Sequence, residues 1–151
     1  PYANTTPPRD TGGQTGTCRI ERNHIHDSGI EFADHLNGIT TNASTQPLTI
    51  RGNPILNRFD QTDAIGLFQD FGVEANRLIT GNLLAGGGYT IYGGDNQRYG
   101  KTYNIKITNN RFSTIYYPQA GALGPLAYFD RTGTGNEWTG NIWDEDSSTI
   151  S

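Results

Sequence analysis

The sequence predicts an all-β fold, a right-handed parallel β-helix (solenoid) of about five coils, and three observations carry that prediction. The first is composition. The chain has 151 residues with 20 Gly, 33% hydrophobic and 17% charged residues. Such a palette is poor in helix formers. Its recurring Ile, Tyr, Phe and Trp and its net charge of only −4 set it apart from a disordered chain. A turn-rich β protein remains. The second observation is a phrase met five times: a large apolar residue, two variable residues, Asn, one variable residue, a second large apolar residue. It reads IERNHI from Ile20, IRGNPI from Ile50, ITGNLL from Ile79, ITNNRF from Ile107 and WTGNIW from Trp138. Its Asn residues (Asn23, Asn53, Asn82, Asn110, Asn141) lie 30, 29, 28 and 31 residues apart. That period signals a solenoid or array and is too short for a propeller blade of about 40–45 residues. The third observation is a second row, Ile39, Ile65 and Ile91, spaced 26 and 26.

Each element follows from these rows. Residues 1–17 are rich in Pro, Thr and Gly and lack the phrase, which predicts an irregular lead-in or partial coil. Residues 18–146 form the solenoid. In each phrase the apolar residue at −3 ends one inward-facing strand, and the one at +2 (Ile25, Ile55, Leu84, Phe112, Trp143) starts the next. The Asn is expected to take the left-handed corner itself and to bond the Asn of the neighbouring coil as a ladder. A third strand carries the Ile39 row. LAYFD around Ala127 supplies its fourth member, 36 residues after Ile91, beyond a Pro-containing excursion, YYPQAGALGP. Stacked coils about 4.8 Å apart give a column of roughly 24 Å. Trp138, Trp143 and the acidic WDEDSS read as a C-terminal cap, and residues 147–151 as a tail. An antiparallel sandwich with turns at the Gly/Asn sites is the competing fold, but hairpin signals are weak and five phrases share one frame.

Composition also bounds function. The acidic balance, with a pI near 5.2, argues against a nucleic-acid surface, which needs a cationic footprint. No apolar run reaches membrane-spanning length. The chain has no Met, so Pro1 is expected to follow processing or to open a piece of a longer chain. No amphipathic helix is evident to cover the first coil, which suggests missing N-terminal coils or a covering chain, and hence self-association as a further expectation. Cys18 is the single cysteine. Two residues before Ile20, it is expected to share the inward face as a buried thiol.

LAGGGYTIYGG (Leu84–Gly94), NIKITNNRFSTIYYP (Asn104–Pro118), GPLAYFD (Gly124–Asp130) and GNEWTGNIWDED (Gly135–Asp146) resemble the C-terminal coils of secreted bacterial right-handed parallel β-helix proteins of the pectate-lyase-like superfamily. The resemblance spans roughly Cys18 to Asp146. It implies an extracellular location and a role on carbohydrate, with polysaccharide as the partner. HLNGI (His35–Ile39) is similar to the H-N-D-G-I of such proteins, with Asn37 in place of the acid. QTDAIG is similar to the N-T-D of polygalacturonases, but the later motifs of those enzymes are missing.

In-register coils stack equivalent positions. Two before the row Ile come Asn37, Asp63 and Tyr89; four before come His35, Gln61 and Gly87; one after come Thr40, Gly66 and Tyr92. His35, Asn37, Gln61, Asp63, Tyr89, Tyr92, Tyr128 and Asp130 therefore form a polar patch edged by aromatics. Sugar binding uses this mix: rings take a pyranose face, and Asn, Asp and His take hydroxyls. The plain alternative is that these are ordinary turn polars and strand aromatics. If the chain is an enzyme, a polysaccharide lyase or glycoside hydrolase acting on an acidic or plant-type glycan, His35 and Asp63 are its catalytic candidates and the others bind substrate. Hydrolysis needs two carboxylates, and Asp63 has Asn37 on one side and Tyr89 on the other. A lyase's Ca²⁺ needs several oxygen ligands, and no coil stacks enough acids, so no cofactor and no metal site is expected. NHIHD (Asn23–Asp27) points His24 and His26 outward, most simply into solvent. AGGGY is not followed by the Lys-Ser/Thr of a phosphate loop. The competing function is a non-catalytic carbohydrate-binding module or a structural, self-assembling solenoid, or a fragment of a larger β-helix enzyme.

Overall fold

The structure is a computed structural model that describes residues 17–26 and 35–151. The predicted lead-in therefore lies almost wholly outside the described residues. Thirteen strands and no helix are found among the described residues. They build three parallel sheets. Sheet A stacks β1 (Cys18–Glu21), β3 (Leu48–Arg51), β6 (Ala75–Thr80), β9 (Tyr103–Thr108) and β12 (Glu137–Thr139). Sheet B stacks β4 (Pro54–Asn57), β7 (Leu83–Gly86), β10 (Arg111–Phe112) and β13 (Ile142–Trp143). Sheet C stacks β2 (Ile39–Asn42), β5 (Ile65–Phe68), β8 (Tyr89–Gly93) and β11 (Gly124–Ala127). The chain is a parallel β-solenoid of about four turns. The count falls short of five because the last coil contributes β12 and β13 but no strand to sheet C.

The rows stack as their spacing requires. Ile20, Ile50, Ile79, Ile107 and Trp138 are successive register partners in sheet A. Ile25, Ile55, Leu84, Phe112 and Trp143 are so in sheet B, Ile25 through a single bridge. In sheet C, Ile39, Ile65 and Ile91 are followed by Leu126, while Ala127 pairs with Tyr92. The fourth member of that row is thus one residue earlier than the spacing suggested. These side chains make one continuous core. Burying each aliphatic member contributes roughly 1.5–3 kcal/mol.

The Asn ladder is present, with one change. In each corner the left-handed residue is the one before the Asn: Arg22, Gly52, Gly81, Asn109 and Gly140 have φ between 54° and 67°. This frees the Asn side chain to point inward. Each amide nitrogen donates to the next Oδ1, from Asn53 to Asn82 at 3.0 Å, Asn82 to Asn110 at 2.9 Å and Asn110 to Asn141 at 3.0 Å. It also donates to the carbonyl of the preceding coil's phrase-opening residue, as Asn82 does to Ile50 at 3.0 Å. Each Oδ1 accepts a second bond from a backbone N–H, as Asn82 does from Asn53 at 3.0 Å. The four rungs from Asn53 to Asn141 are essentially fully buried, so the ladder satisfies polar groups that the corner would otherwise strand.

A second interior device was not apparent from the spacing. Arg77 is a register partner of Leu48 and Ile105, so its side chain occupies a core row. Glu74 meets its Nε at 2.6 Å, with both side chains almost fully buried. Glu74 also accepts from Thr41 Oγ1 and, at 2.9 Å, from the Ser44 N–H. The guanidinium donates to the carbonyls of Ser44, Gln46 and Ala75. Burial raises the Glu74 pKa, and Arg77 and the hydrogen bonds pull against that rise.

At the C-terminal end the tail is not a loose appendage. Ile150 is buried in the core cluster, its N–H bonds the Asn141 carbonyl at 2.9 Å, and Trp138 Nε1 bonds its carbonyl at 3.0 Å. Cys18 departs from expectation: its thiol is exposed rather than buried. β1 is the edge strand of sheet A, so among the described residues no coil covers it on that side.

Candidate functional site

The site lies on the outward surface of sheet C, where alternation along β5 and β8 turns Gly66, Phe68 and Tyr92 away from the core. Four rings gather there. Tyr92 lies 5.7 Å from Phe68, meets Tyr89 edge-on at 5.6 Å, and stacks on Tyr128 at 5.9 Å with 17° between the planes. Tyr128 is 62% exposed and holds φ at 51°. A bulky residue in the left-handed region carries a cost of order 1–3 kcal/mol. Its backbone is pinned there by the Asp95 N–H, which bonds the Tyr128 carbonyl at 2.7 Å. The strained conformation presents an aromatic face to solvent.

Beneath the rings sits Asp63. Its side chain is fully buried, and among the described residues neither carboxyl oxygen has a hydrogen-bond partner. The carboxyl occupies the space where Gly66 has no side chain: a Cβ on Gly66 would come within 2.6 Å of Asp63 Oδ2 and 2.5 Å of the Phe68 ring. Two more buried oxygens nearby in the register, Asn37 Oδ1 and Thr40 Oγ1, also have no partner among the described residues. Desolvation pushes the Asp63 pKa well above the usual carboxylate range, which favours the neutral acid. Tyr92 is raised as well, first by its own burial and then by Asp63, Tyr128 and Tyr89.

This sets a pH signature. The folded pKa of Asp63 exceeds the unfolded value of about 3.9. Below the unfolded value the acid is protonated in both states and its contribution to stability is fully present. As pH rises from there through the folded pKa, the unfolded chain releases the proton first and stability is lost. Asp63→Asn is uncharged throughout. It is expected to unfold in urea like the wild type in acid and at higher urea concentration than the wild type at neutral pH. A variant weaker than wild type at neutral pH would show that the carboxylate is paired.

The structure brings together Tyr89, Tyr92, Tyr128 and Asp63, with Asn37 stacked beside Asp63. Phe68 belongs with them and was missed; its outward phase three residues after Ile65 was the available signal. Asp130 is committed elsewhere. Its carboxylate accepts from the Thr132 N–H at 2.9 Å and Oγ1 at 2.7 Å and from Lys101 Nζ at 3.0 Å, which together lower its pKa to about 2. Gln61 is half-buried, and its carbonyl accepts from its neighbour Thr62 at 2.6 Å. His35 is exposed while Asp63 is sealed, so the two candidate catalytic groups differ in access to solvent. Asn57 ties this region together: its amide bonds the Leu36 carbonyl at 2.6 Å and the Asp63 carbonyl at 3.0 Å.

The glycine run does not offer a phosphate cradle. The N–H groups of Gly86, Gly87 and Gly88 donate to the carbonyls of Ala120, Asn57 and Phe59, and Thr62, respectively. Its role is packing: Gly86 and Gly87 hold φ near 80°, and a Cβ on Gly86 would fall 1.5 Å from the Asn57 oxygen. His24 and His26 are both exposed with ring centroids 4.3 Å apart; Asp27 lies outside the described residues. Among the described residues no group of three or more His, Cys, Asp or Glu could hold a metal.

No protein-family model, no curated protein and no solved structure matches the chain. The class that the fold defines, a parallel β-solenoid, rests on the strand register alone.

Proposed function

We propose that the chain is an extracellular polysaccharide-recognising solenoid, a secreted relative of the pectate-lyase-like β-helix proteins, and that the rings of sheet C are its binding platform. One observation carries the proposal: Tyr128 is exposed, stacked on Tyr92 and held in a strained backbone conformation. Ring faces of this kind accept the C–H face of a pyranose, and the surrounding hydroxyls and carbonyls accept its O–H groups. Tyr128→Ala is expected to weaken polysaccharide binding at least about tenfold, the loss typical of an interface anchor, with the thermal midpoint nearly unchanged because the ring is exposed. Affinity electrophoresis beside a thermal melt checks both.

The alternative is a catalytic role, and one observation favours it. Asp63 is held toward the protonated form that a general acid requires. His35 is the candidate partner. A lyase or hydrolase would release unsaturated products or reducing ends, and Asp63→Asn and His35→Ala would abolish that release. Full turnover in both variants rules these two residues out. The burial of Asp63 favours binding over catalysis.

A further inference from the structure

The rings of sheet C follow one another along the column, and their order decides where a sugar can stack. Phe68 ends β5, Tyr92 lies in β8, and Tyr128 follows β11 directly. Tyr92 covers one face of Tyr128, with 17° between the planes. The next coil contributes β12 and β13 but no strand to sheet C, so among the described residues β11 is the edge of that sheet. The face of Tyr128 that Tyr92 leaves open looks past this edge.

A cavity of about 290 Å³ lies there, with Leu126, Tyr128, Phe129, Arg131, Trp138 and Ile150 in its wall. Tyr92 is not part of that wall, which places the cavity on the other side of Tyr128. Ile150 closes the column behind it, buried in the core with its carbonyl on Trp138 Nε1 at 3.0 Å. Arg131 is exposed, and its guanidinium lies over the Trp138 ring, 5.4 Å from the centroid. A guanidinium steadied by a ring keeps its N–H donors for a ligand. The adjacent carboxylate of Asp130 is taken by Lys101 and Thr132, and among the described residues no acid pairs with Arg131. The cavity thus offers an aromatic face, an apolar floor and a set of unused donors. Ligand pockets usually span roughly 300–1,000 Å³, so this one has room for a single sugar unit rather than a length of chain.

We infer that the cavity is an end-on subsite. It seats the terminal pyranose of a glycan, stacked on the outer face of Tyr128 with its oxygens on the Arg131 donors, while the rest of the glycan leaves toward solvent. The inference rests on the polysaccharide function proposed above and specifies which part of the ligand is held.

The test is titration calorimetry of the whole chain, of Arg131→Ala and of Tyr128→Ala. The ligands are soluble, unbranched β-glucan, mannan, galactan, polygalacturonate and alginate, each as a short oligosaccharide and as a long chain. For a sugar that binds, the number of proteins held per chain is expected to be the same at both lengths. Arg131→Ala and Tyr128→Ala are each expected to weaken binding at least about tenfold. A number that grows with chain length would mean that internal units are held, and would overturn the end-on subsite. Unchanged binding in Arg131→Ala would overturn it too. In both cases the platform stands if Tyr128→Ala still weakens binding. No binding of any of these sugars, or binding that Tyr128→Ala leaves unchanged, would overturn the platform and the inference together. Matching far-ultraviolet circular dichroism of the three proteins excludes misfolding as the cause.

Discussion

Replacing Arg77 with leucine is expected to cost about 3–5 kcal/mol, because it leaves Glu74 ionisable, buried and without its counter-charge. Urea denaturation reads this as a lower midpoint. The side chain stands in a core row between Leu48 and Ile105, so leucine fits the position sterically and the loss reports the broken pair rather than a cavity. Converting Glu74 to leucine as well should recover only part of the loss. The carboxylate also holds the Ser44 N–H, and the guanidinium also holds the carbonyls of Ser44 and Gln46. Those backbone groups stay stranded in the double variant. Full recovery would mean that the turn over residues 43–46 finds other partners without the pair.

Asn82→Ala is expected to be of similar size and Asn23→Ala much smaller, although both remove the same side chain from the same ladder. Asn82 accepts from the Asn53 backbone and amide and donates to Ile50 and Asn110, all within buried surroundings. Its loss leaves several buried groups unsatisfied, each at about 1–3 kcal/mol, so a total of roughly 3–5 kcal/mol is expected even after partial relaxation. Asn23 is exposed and is the first rung among the described residues, where water replaces its bonds. There the cost should stay below about 1 kcal/mol. Equal midpoints for the two variants in urea would show that the ladder contributes no more than any exposed amide.

The repeating rows were legible in the sequence because stacking copies one coil's geometry onto the next. The sheet A row through Ile50, Ile79 and Ile107 stays in step with the sheet B row through Ile55, Leu84 and Phe112 because the corner between the two sheets is always two residues, as at Gly52–Asn53 and Gly81–Asn82. The other connections vary, and there the reading slipped. The excursion before β11 shifted the sheet C row from Ala127 to Leu126. The corner's left-handed residue was misplaced by one because both Gly-Asn and Asn-Asn pairs permit either assignment. Arg77 was visible as a charge two before the phrase, in line with Leu48 and Ile105, yet only the structure pairs it with Glu74. At the site, Tyr89, Tyr92 and Asp63 followed from register, whereas Tyr128 depended on an irregular connection. Its stacking on Tyr92 and the sealing of Asp63 are tertiary facts with no periodic trace.

The ladder also gives the molecule a polarity. Every rung passes a proton donor toward Asn141 and an acceptor toward Asn23, so the amide dipoles align head to tail along the column and reinforce one another. The two ends of the column are therefore chemically unlike. Among the described residues the row runs from an acceptor at Asn23 to the Asn141 rung, whose carbonyl the Ile150 N–H covers. A coil added to the ladder at either end would have to present the matching half of the bond, so growth of such a row has one direction, set by the amides themselves.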